Sequence, residues 1–306
     1  MNSIHELRIA AVIVTYNRKN LLVKNLNMLL KQSKKLDMII IIDNNSTDGT
    51  GELLKDDYLS LSTVHYLRLP ENIGGAGGFS KGIEIAHSMG FDYIWLMDDD
   101  GRPYDDDTFM NIITKAFEIR KVNNLIFLNS LVLNDQRELT FELPKIKSIT
   151  EIKQYTVNGL FTYGANPFNG TLISKELVDK IGYPNKDFFI KGDENDYQDR
   201  AIRNGAFLAT VVESIYYHPS ISKAKYKFMG KNKETDAEAP WKEYYKTRNY
   251  TYMYKKNKQP KRIFQLIIAR IHAIVFVKGK RFKRFYFVSK GLFDGLFGRL
   301  GKRVNP

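Results

Sequence analysis

Four short apolar runs, Ile9 to Thr15, Met38 to Ile42, Val64 to Leu69 and Tyr93 to Met97, are separated by stretches of helical spacing and followed by polar clusters. Apolar strands separated by helices predict a parallel sheet with both faces covered. Between the first two, Leu22, Leu26, Leu29 and Leu30 fall on one face of a helix that starts after Asn20. Another helix is predicted from Phe79. The order βαβαβαβ makes an α/β chain with a mostly parallel sheet flanked by helices, and such sheets bind ligands beyond the carboxyl ends of their strands. Every polar cluster in this half of the chain sits at such an end.

Beyond Asp105 the spacing predicts a helix over Phe109 to Arg120, a strand over Leu125 to Leu133 and a loop-rich stretch after it. Short strands and a helix return between Phe168 and Tyr217, and the domain boundary is expected just after Pro219. Charge marks the same boundary. Residues 221–306 hold 23 Lys and Arg against 5 Asp and Glu, leaving 24 against 29 for residues 1–220. A slightly acidic catalytic body over 1–220 with a strongly basic tail over 221–306 suits a polyanionic partner, either anionic lipid or nucleic acid. The chain has no Cys, which removes disulfides, thiolate metal sites and cysteine nucleophiles together. Met1 to Glu6 contains no apolar run behind positive charge, so neither a signal peptide nor an N-terminal anchor is expected.

The sharpest chemical signal is Trp95-Leu96-Met97-Asp98-Asp99-Asp100-Gly101. An acidic triplet in a loop is often plain solubilising charge. At a strand end, however, adjacent carboxylates repel one another unless a cation is bound, and oxygen ligation suits magnesium or manganese held with a substrate phosphate. Asn72-Ile73-Gly74-Gly75-Ala76-Gly77-Gly78-Phe79 either presents bare amides to a diphosphate or only permits a tight turn. Its spacing is neither the dinucleotide fingerprint nor the phosphate loop. Thr15-Tyr16-Asn17-Arg18 offers an aromatic face to a nucleobase and a guanidinium to a phosphate, or is a strand-to-helix turn with a surface Arg. Gly192-Asp193-Glu194-Asn195-Asp196-Tyr197 supplies a carboxylate able to take a proton from an acceptor hydroxyl, or caps a helix ahead of Arg200 and Arg203. His218, between an apolar strand and Pro219, is a third metal ligand or a structural histidine.

Together these residues resemble the family 2 glycosyltransferases of the GT-A (Rossmann-like) fold over about residues 9–220. Val14-Thr15-Tyr16-Asn17-Arg18, Asp43-Asn44-Asn45-Ser46-Thr47-Asp48-Gly49 and Asn72 to Phe79 occur in that family's order. Within it, the glycine-rich segment combined with Trp-Leu-Met-Asp-Asp-Asp is most similar to bacterial galactofuranosyltransferases, then to rhamnosyltransferases. The resemblance implies Tyr16, Arg18 and Asn44 near a uridine and its phosphates, and Asn72, Gly74 and Gly75 near the donor sugar. It also implies Asp98 and Asp99 beside the donor, and Asp98, Asp100 and His218 around a manganese or magnesium ion. The catalytic base falls on the pair Asp193 and Glu194. Glu194 is preferred, although those relatives usually carry Asp at that position. The implied reaction is metal-dependent inverting transfer of a sugar, galactofuranose from its UDP donor or rhamnose from its dTDP donor, onto a lipid-linked or growing bacterial surface polysaccharide.

The tail interleaves Lys and Arg with aromatics, as in Arg281-Phe282-Lys283-Arg284-Phe285-Tyr286-Phe287, and its longest apolar stretch, Leu266 to Val277, is broken by Arg270 and His272. That stretch is too short to span a bilayer. An interfacial, largely helical region on an anionic leaflet is expected, placing the enzyme peripherally on the cytoplasmic face of the inner membrane. The rival reading, a single-stranded nucleic-acid binder, is set aside in favour of no nucleic-acid partner. A sugar nucleotidyltransferase would need a glycine-rich, Arg/Lys signature near the N-terminus that is absent here.

Overall fold

The structure is a computed structural model that describes residues 6–220, 223–228, 231–236, 238–276 and 279–305. Residues 1–5, which bear on the expected absence of a leader, and Val277, the end of the apolar stretch, lie outside that set.

The first half alternates as its apolar runs dictate: β1 (Ile9–Thr15), α1 (Lys19–Lys31), β2 (Met38–Asp43), α2 (Thr50–Asp57), β3 (Val64–Arg68), α3 (Gly74–Ser88) and β4 (Tyr93–Asp98). There follow β5 (Arg102–Pro103), α4 (Thr108–Ile119), β6 (Ile126–Leu133), β7 (Thr156–Val157), β8 (Leu160–Phe161), β9 (Asn169–Ser174), α5 (Lys175–Ile181), α6 (Asp193–Arg203) and β10 (Phe207–Tyr217). The last third is a hairpin, β11 (Lys223–Phe228) with β12 (Lys231–Asp236), and then α7 (Pro240–Lys256), α8 (Pro260–Phe276) and α9 (Arg281–Leu296). The described residues divide into two compact units. One comprises the described residues of 1–72, 78–184 and 197–220, and the other those of 73–77, 185–196 and 221–306.

The first unit is built on a ten-stranded sheet in the order β3-β2-β1-β4-β9-β6-β10-β8-β7, with β5 also paired to β10. β3, β2, β1 and β4 run parallel, as do β6 and β10, while β9 runs antiparallel between β4 and β6. All seven residues of β1 are buried, which is why its sequence reads as an unbroken apolar run. Leu22, Leu26 and Leu29 of α1 are buried, each contributing about 2 kcal/mol by leaving water. The stretch after β6, expected to be loop-rich, folds Leu143, Ile146, Ile152 and Phe161 into a small cluster under Leu131 and Leu133.

The glycine-rich segment departs from expectation. α3 starts at Gly74 rather than Phe79, so Gly75, Gly77 and Gly78 are helical. The reason is spatial: a Cβ at Gly78 would sit 2.5 Å from Val14 Cγ1, and one at Gly82 would collide with Val12. Missing side chains let α3 lie directly on β1.

In the second unit, Pro240 opens α7, where its missing N–H costs nothing. Gly291 and Gly295, one turn apart on α9, bring that helix against α7; a Cβ at Gly291 would lie 2.6 Å from the Tyr244 carbonyl oxygen. Glu243 of α7 is buried and pairs with Arg270 of α8 and, at 3.3 Å, with Arg284 of α9. One carboxylate thus ties three helices together.

Candidate active site

In the first unit the carboxyl end of β1 and the tip of β4 meet through Arg18. Its Nη1 donates to Asp99 Oδ1 at 3.0 Å and to Asp100 Oδ2 at 2.6 Å. Asp99 is only 3% exposed. Its Oδ2 accepts the Thr15 hydroxyl at 2.8 Å and the Tyr16 N–H at 3.3 Å. Burial pushes the Asp99 carboxyl up to about 6; Asp100 adds to the rise, while Arg18 and Thr15 oppose it. The mutual repulsion inferred from sequence is therefore relieved in part by the chain's own guanidinium. Tyr16 is half exposed, leaving its ring open to a stacking partner.

Asp100 points its other oxygen at His218, with His218 Nε2 at 3.5 Å from Asp100 Oδ1. That Oδ1 is buried and accepts no hydrogen bond. The opposite ring nitrogen, His218 Nδ1, is 2.8 Å from the Pro219 carbonyl oxygen. A carbonyl only accepts, so Nδ1 carries the hydrogen, and in the neutral ring Nε2 presents a lone pair to a carboxylate. With the ring neutral and oriented from behind by Pro219, Oδ1 of the half-buried Asp100 and Nε2 of His218 form an O/N donor pair that would fit manganese or magnesium. Among the described residues no three His, Asp or Glu side chains are gathered into a metal-binding cluster, so the remaining positions would fall to phosphate oxygens and water. The Asp98 carbonyl accepts from Asn25 Nδ2 at 3.3 Å.

The neighbouring loops are locked to this tip. Asp48 Oδ2 accepts the Lys19 N–H at 2.9 Å and so caps α1 from the loop after β2. Asn17 Oδ1 accepts the Thr47 N–H at 2.7 Å. Asn44 is buried, and its N–H donates to the Thr15 carbonyl at 2.9 Å. Asn72 lies at the end of the first unit's opening segment. Tyr216, fully buried, is held protonated first by burial and then by Asp98, Asp100 and Asp99, and its hydroxyl finds no partner. No local pattern in the sequence marks Tyr216 or the Thr15 hydroxyl.

Gly74, Gly75, Asp193 and Glu194 belong to the second unit. Gly74 has φ +77°, and a Cβ there would also strike the Phe189 carbonyl, whose oxygen accepts the Ala76 N–H at 3.0 Å. Space around Gly75 is open. Asp193 is buried and Glu194 half-buried in the first turn of α6. Glu194 Oε2 accepts the Gly192 N–H at 3.0 Å, and Oε1 accepts from Asn195 Nδ2 at 3.0 Å, which also reaches Tyr250 Oη at 2.9 Å. Burial and then the Glu194 charge push the Tyr250 hydroxyl well above its ordinary range. The approach to Glu194 is irregular, with φ near +65° at both Phe189 and Lys191. α7 satisfies it: Asn249 Nδ2 donates to the Phe188, Ile190 and Lys191 carbonyls, and Arg248 Nη2 to those of Asp187 and Phe188. The basic tail therefore shapes the segment that carries the acidic pair, a task its composition does not disclose.

Residues 10–161 match the family model described as glycosyl transferase family 2. The galactofuranosyltransferase GlfT1 of Mycolicibacterium smegmatis is 32% identical over 224 residues, covering 70% of this chain and 72% of that protein. The dTDP-rhamnosyl transferase RfbF of Shigella flexneri is 27% identical over 309 residues, covering 96% of this chain and 97% of that protein. The crystal structure of GalNAc-T7 with UDP, GalNAc and Mn2+ superposes with a TM-score of 0.60 at 14% identity, covering 94% of this chain and 57% of that one. That likeness shows the fold, a GT-A sheet flanked by helices.

Proposed function

The chain belongs to glycosyltransferase family 2, and we propose that it is an inverting hexosyltransferase. It moves galactofuranose from UDP onto a lipid-linked or growing bacterial surface polysaccharide at the cytoplasmic face of the inner membrane. The observation that carries the reading is the buried, hydrogen-bond-free Asp100 Oδ1 facing His218 Nε2 at the tip of β4. The sugar is argued from the 32% identity to a protein named as a galactofuranosyltransferase. A rhamnosyl donor on dTDP is the second reading, favoured by the near full-length match to RfbF.

Tyr16 stacks on the base, and Arg18 and Asn44 border the nucleotide phosphates, with Asp98 and Asp99 along the same edge. Asn72, Gly74 and Gly75 accommodate the donor sugar. Asp100 and His218 would hold manganese or magnesium, with Asp98 beside them as the third ligand the resemblance implies and phosphate oxygens and water in the other positions; the chemistry of the ion when bound is to offset negative charge on the diphosphate. Glu194, with Asp193 as its alternative, accepts the proton of the acceptor hydroxyl. The hydroxyl oxygen bonds to the anomeric carbon as the bond to the diphosphate breaks, from the opposite face, so configuration inverts. Arg18 keeps Asp99 and Asp100 from splaying, which leaves the second oxygen of Asp100 directed at His218. A thermal-shift screen of UDP- and dTDP-sugars with and without manganese, followed by NMR of the product, tests the proposal. Stabilisation by one donor and an inverted anomer are expected; retention of configuration refutes the single displacement.

A further inference from the structure

In the second unit, α8 and α9 each bury one face and leave the opposite face apolar. On α8 the inner face carries Arg270 and Ala273. Phe264, Ile268, Ile271 and Val275, spaced by 4, 3 and 4 residues, form an exposed stripe on the other side. On α9 the inner face carries Arg284, Gly291, Asp294 and Gly295. Phe282, Phe285, Tyr286 and Phe293 are exposed opposite them, Phe282 at 93%. An ordinary surface helix does not hold four large apolar groups in line in water, and stripes of this kind mark interaction sites.

Charge selects the partner. Between Glu243 and Asp294 the chain contains 14 Lys or Arg and no Asp or Glu. Lys261, Arg262, Lys280, Arg281 and Lys283 are exposed beside the stripes. A second copy laid on this face would oppose cations with cations, whereas an anionic lipid surface meets both the charge and the apolar groups. No helix among the described residues is long and apolar enough to cross a membrane. The helices thus have the features of elements that lie in the headgroup plane.

We propose that the outer faces of α8 and α9 form a single anionic-bilayer docking surface, with Phe264, Ile268, Ile271 and Val275 and with Phe282, Phe285 and Tyr286 entering the headgroup layer between flanking Lys and Arg. Its use in reaching a membrane-borne acceptor rests on the transferase reading, but its test does not.

The full chain is floated with vesicles of phosphatidylglycerol and phosphatidylcholine, and with phosphatidylcholine alone, at low and high salt. The wild type is expected to float with the anionic vesicles, to be released from them by salt, and to stay unbound with phosphatidylcholine alone. The pairs Phe282→Ser with Phe285→Ser, and Ile268→Ser with Ile271→Ser, should each weaken binding about 100-fold. Their melting temperatures and their rates of donor hydrolysis in solution should stay at the wild-type values. Loss of hydrolysis in the wild type would strike the enzyme assignment and leave the surface intact. Flotation indifferent to lipid charge or to these pairs overturns the surface. So does a dimer that the pairs dissolve, or binding of single-stranded oligonucleotide without binding of vesicles.

Discussion

Replacing Asp99 by Asn tests the electrostatics of the acidic tip without changing its volume. Asp99 is buried, and its carboxyl titrates near 6 instead of the ordinary 3.8. The folded protein therefore binds a proton more tightly there than the unfolded chain does. The stability contributed by that proton is complete below about pH 4 and is lost as pH rises through 6. At 1.36 kcal/mol per pKa unit, the rise from 3.8 to about 6 corresponds to about 3 kcal/mol. The Asp99→Asn variant would carry no such dependence, although Arg18 would lose the charged partner it now has at 3.0 Å. Urea unfolding of both proteins from pH 4 to 8 should show the wild type losing about 3 kcal/mol relative to Asp99→Asn across that window. Transfer by the variant should be weak at every pH, because Arg18 is no longer fixed. A stability difference that stays flat with pH would refute the claim that burial dominates at Asp99.

Further outcomes follow from particular contacts. Gly78→Ala should cost about 1–3 kcal/mol of stability in thermal or chemical melts, because its Cβ would lie 2.5 Å from Val14 Cγ1; a wild-type melt would contradict the close seating of α3 on β1. Glu243→Leu leaves the Arg270 and Arg284 guanidiniums buried beside an apolar group and should cost about 3–5 kcal/mol by urea titration, with a loss under about 1 kcal/mol counting against the three-helix tie. Glu194→Gln should lower kcat by at least about 100-fold at unchanged donor KM. Asn249→Ala should lower kcat more mildly, through the 188–191 segment that it holds. Full turnover in Glu194→Gln together with loss in Asp193→Asn would move the base by one residue.

What the residues disclose unaided follows from how locally each feature is determined. β1, β2 and β4 are legible because strands covered on both faces must be apolar throughout, whereas β3, at the sheet edge with His65 and Arg68 exposed, is one-sided; each lies within one residue of its expected ends. The three Asp residues announce a charged site because no folding role requires them in a row. β9 is different: its antiparallel place between β4 and β6 is set by pairing over long range, which no local spacing encodes. The glycines of 74–78 serve close packing as well as open backbone, and spacing alone cannot separate the two uses. Arg18 as partner of Asp99 and Asp100 lies 81 and 82 residues away in the chain. β11 and β12 are too polar to read as strands. The grip of Asn249 and Arg248 on residues 187–191 is likewise invisible, since both look like ordinary polar residues of a basic helix.

On the proposed function, Asp100 and His218 complete their environment with a divalent cation carried by a nucleoside diphosphate. Calorimetric titration of UDP and of dTDP into the wild type and Asp100→Asn, each with manganese and with chelator, tests it directly. One nucleotide should bind the wild type at least about tenfold more tightly with manganese, about 1.4 kcal/mol, and the gain should vanish in the variant. Equal affinities with manganese and with chelator in the wild type would contradict it.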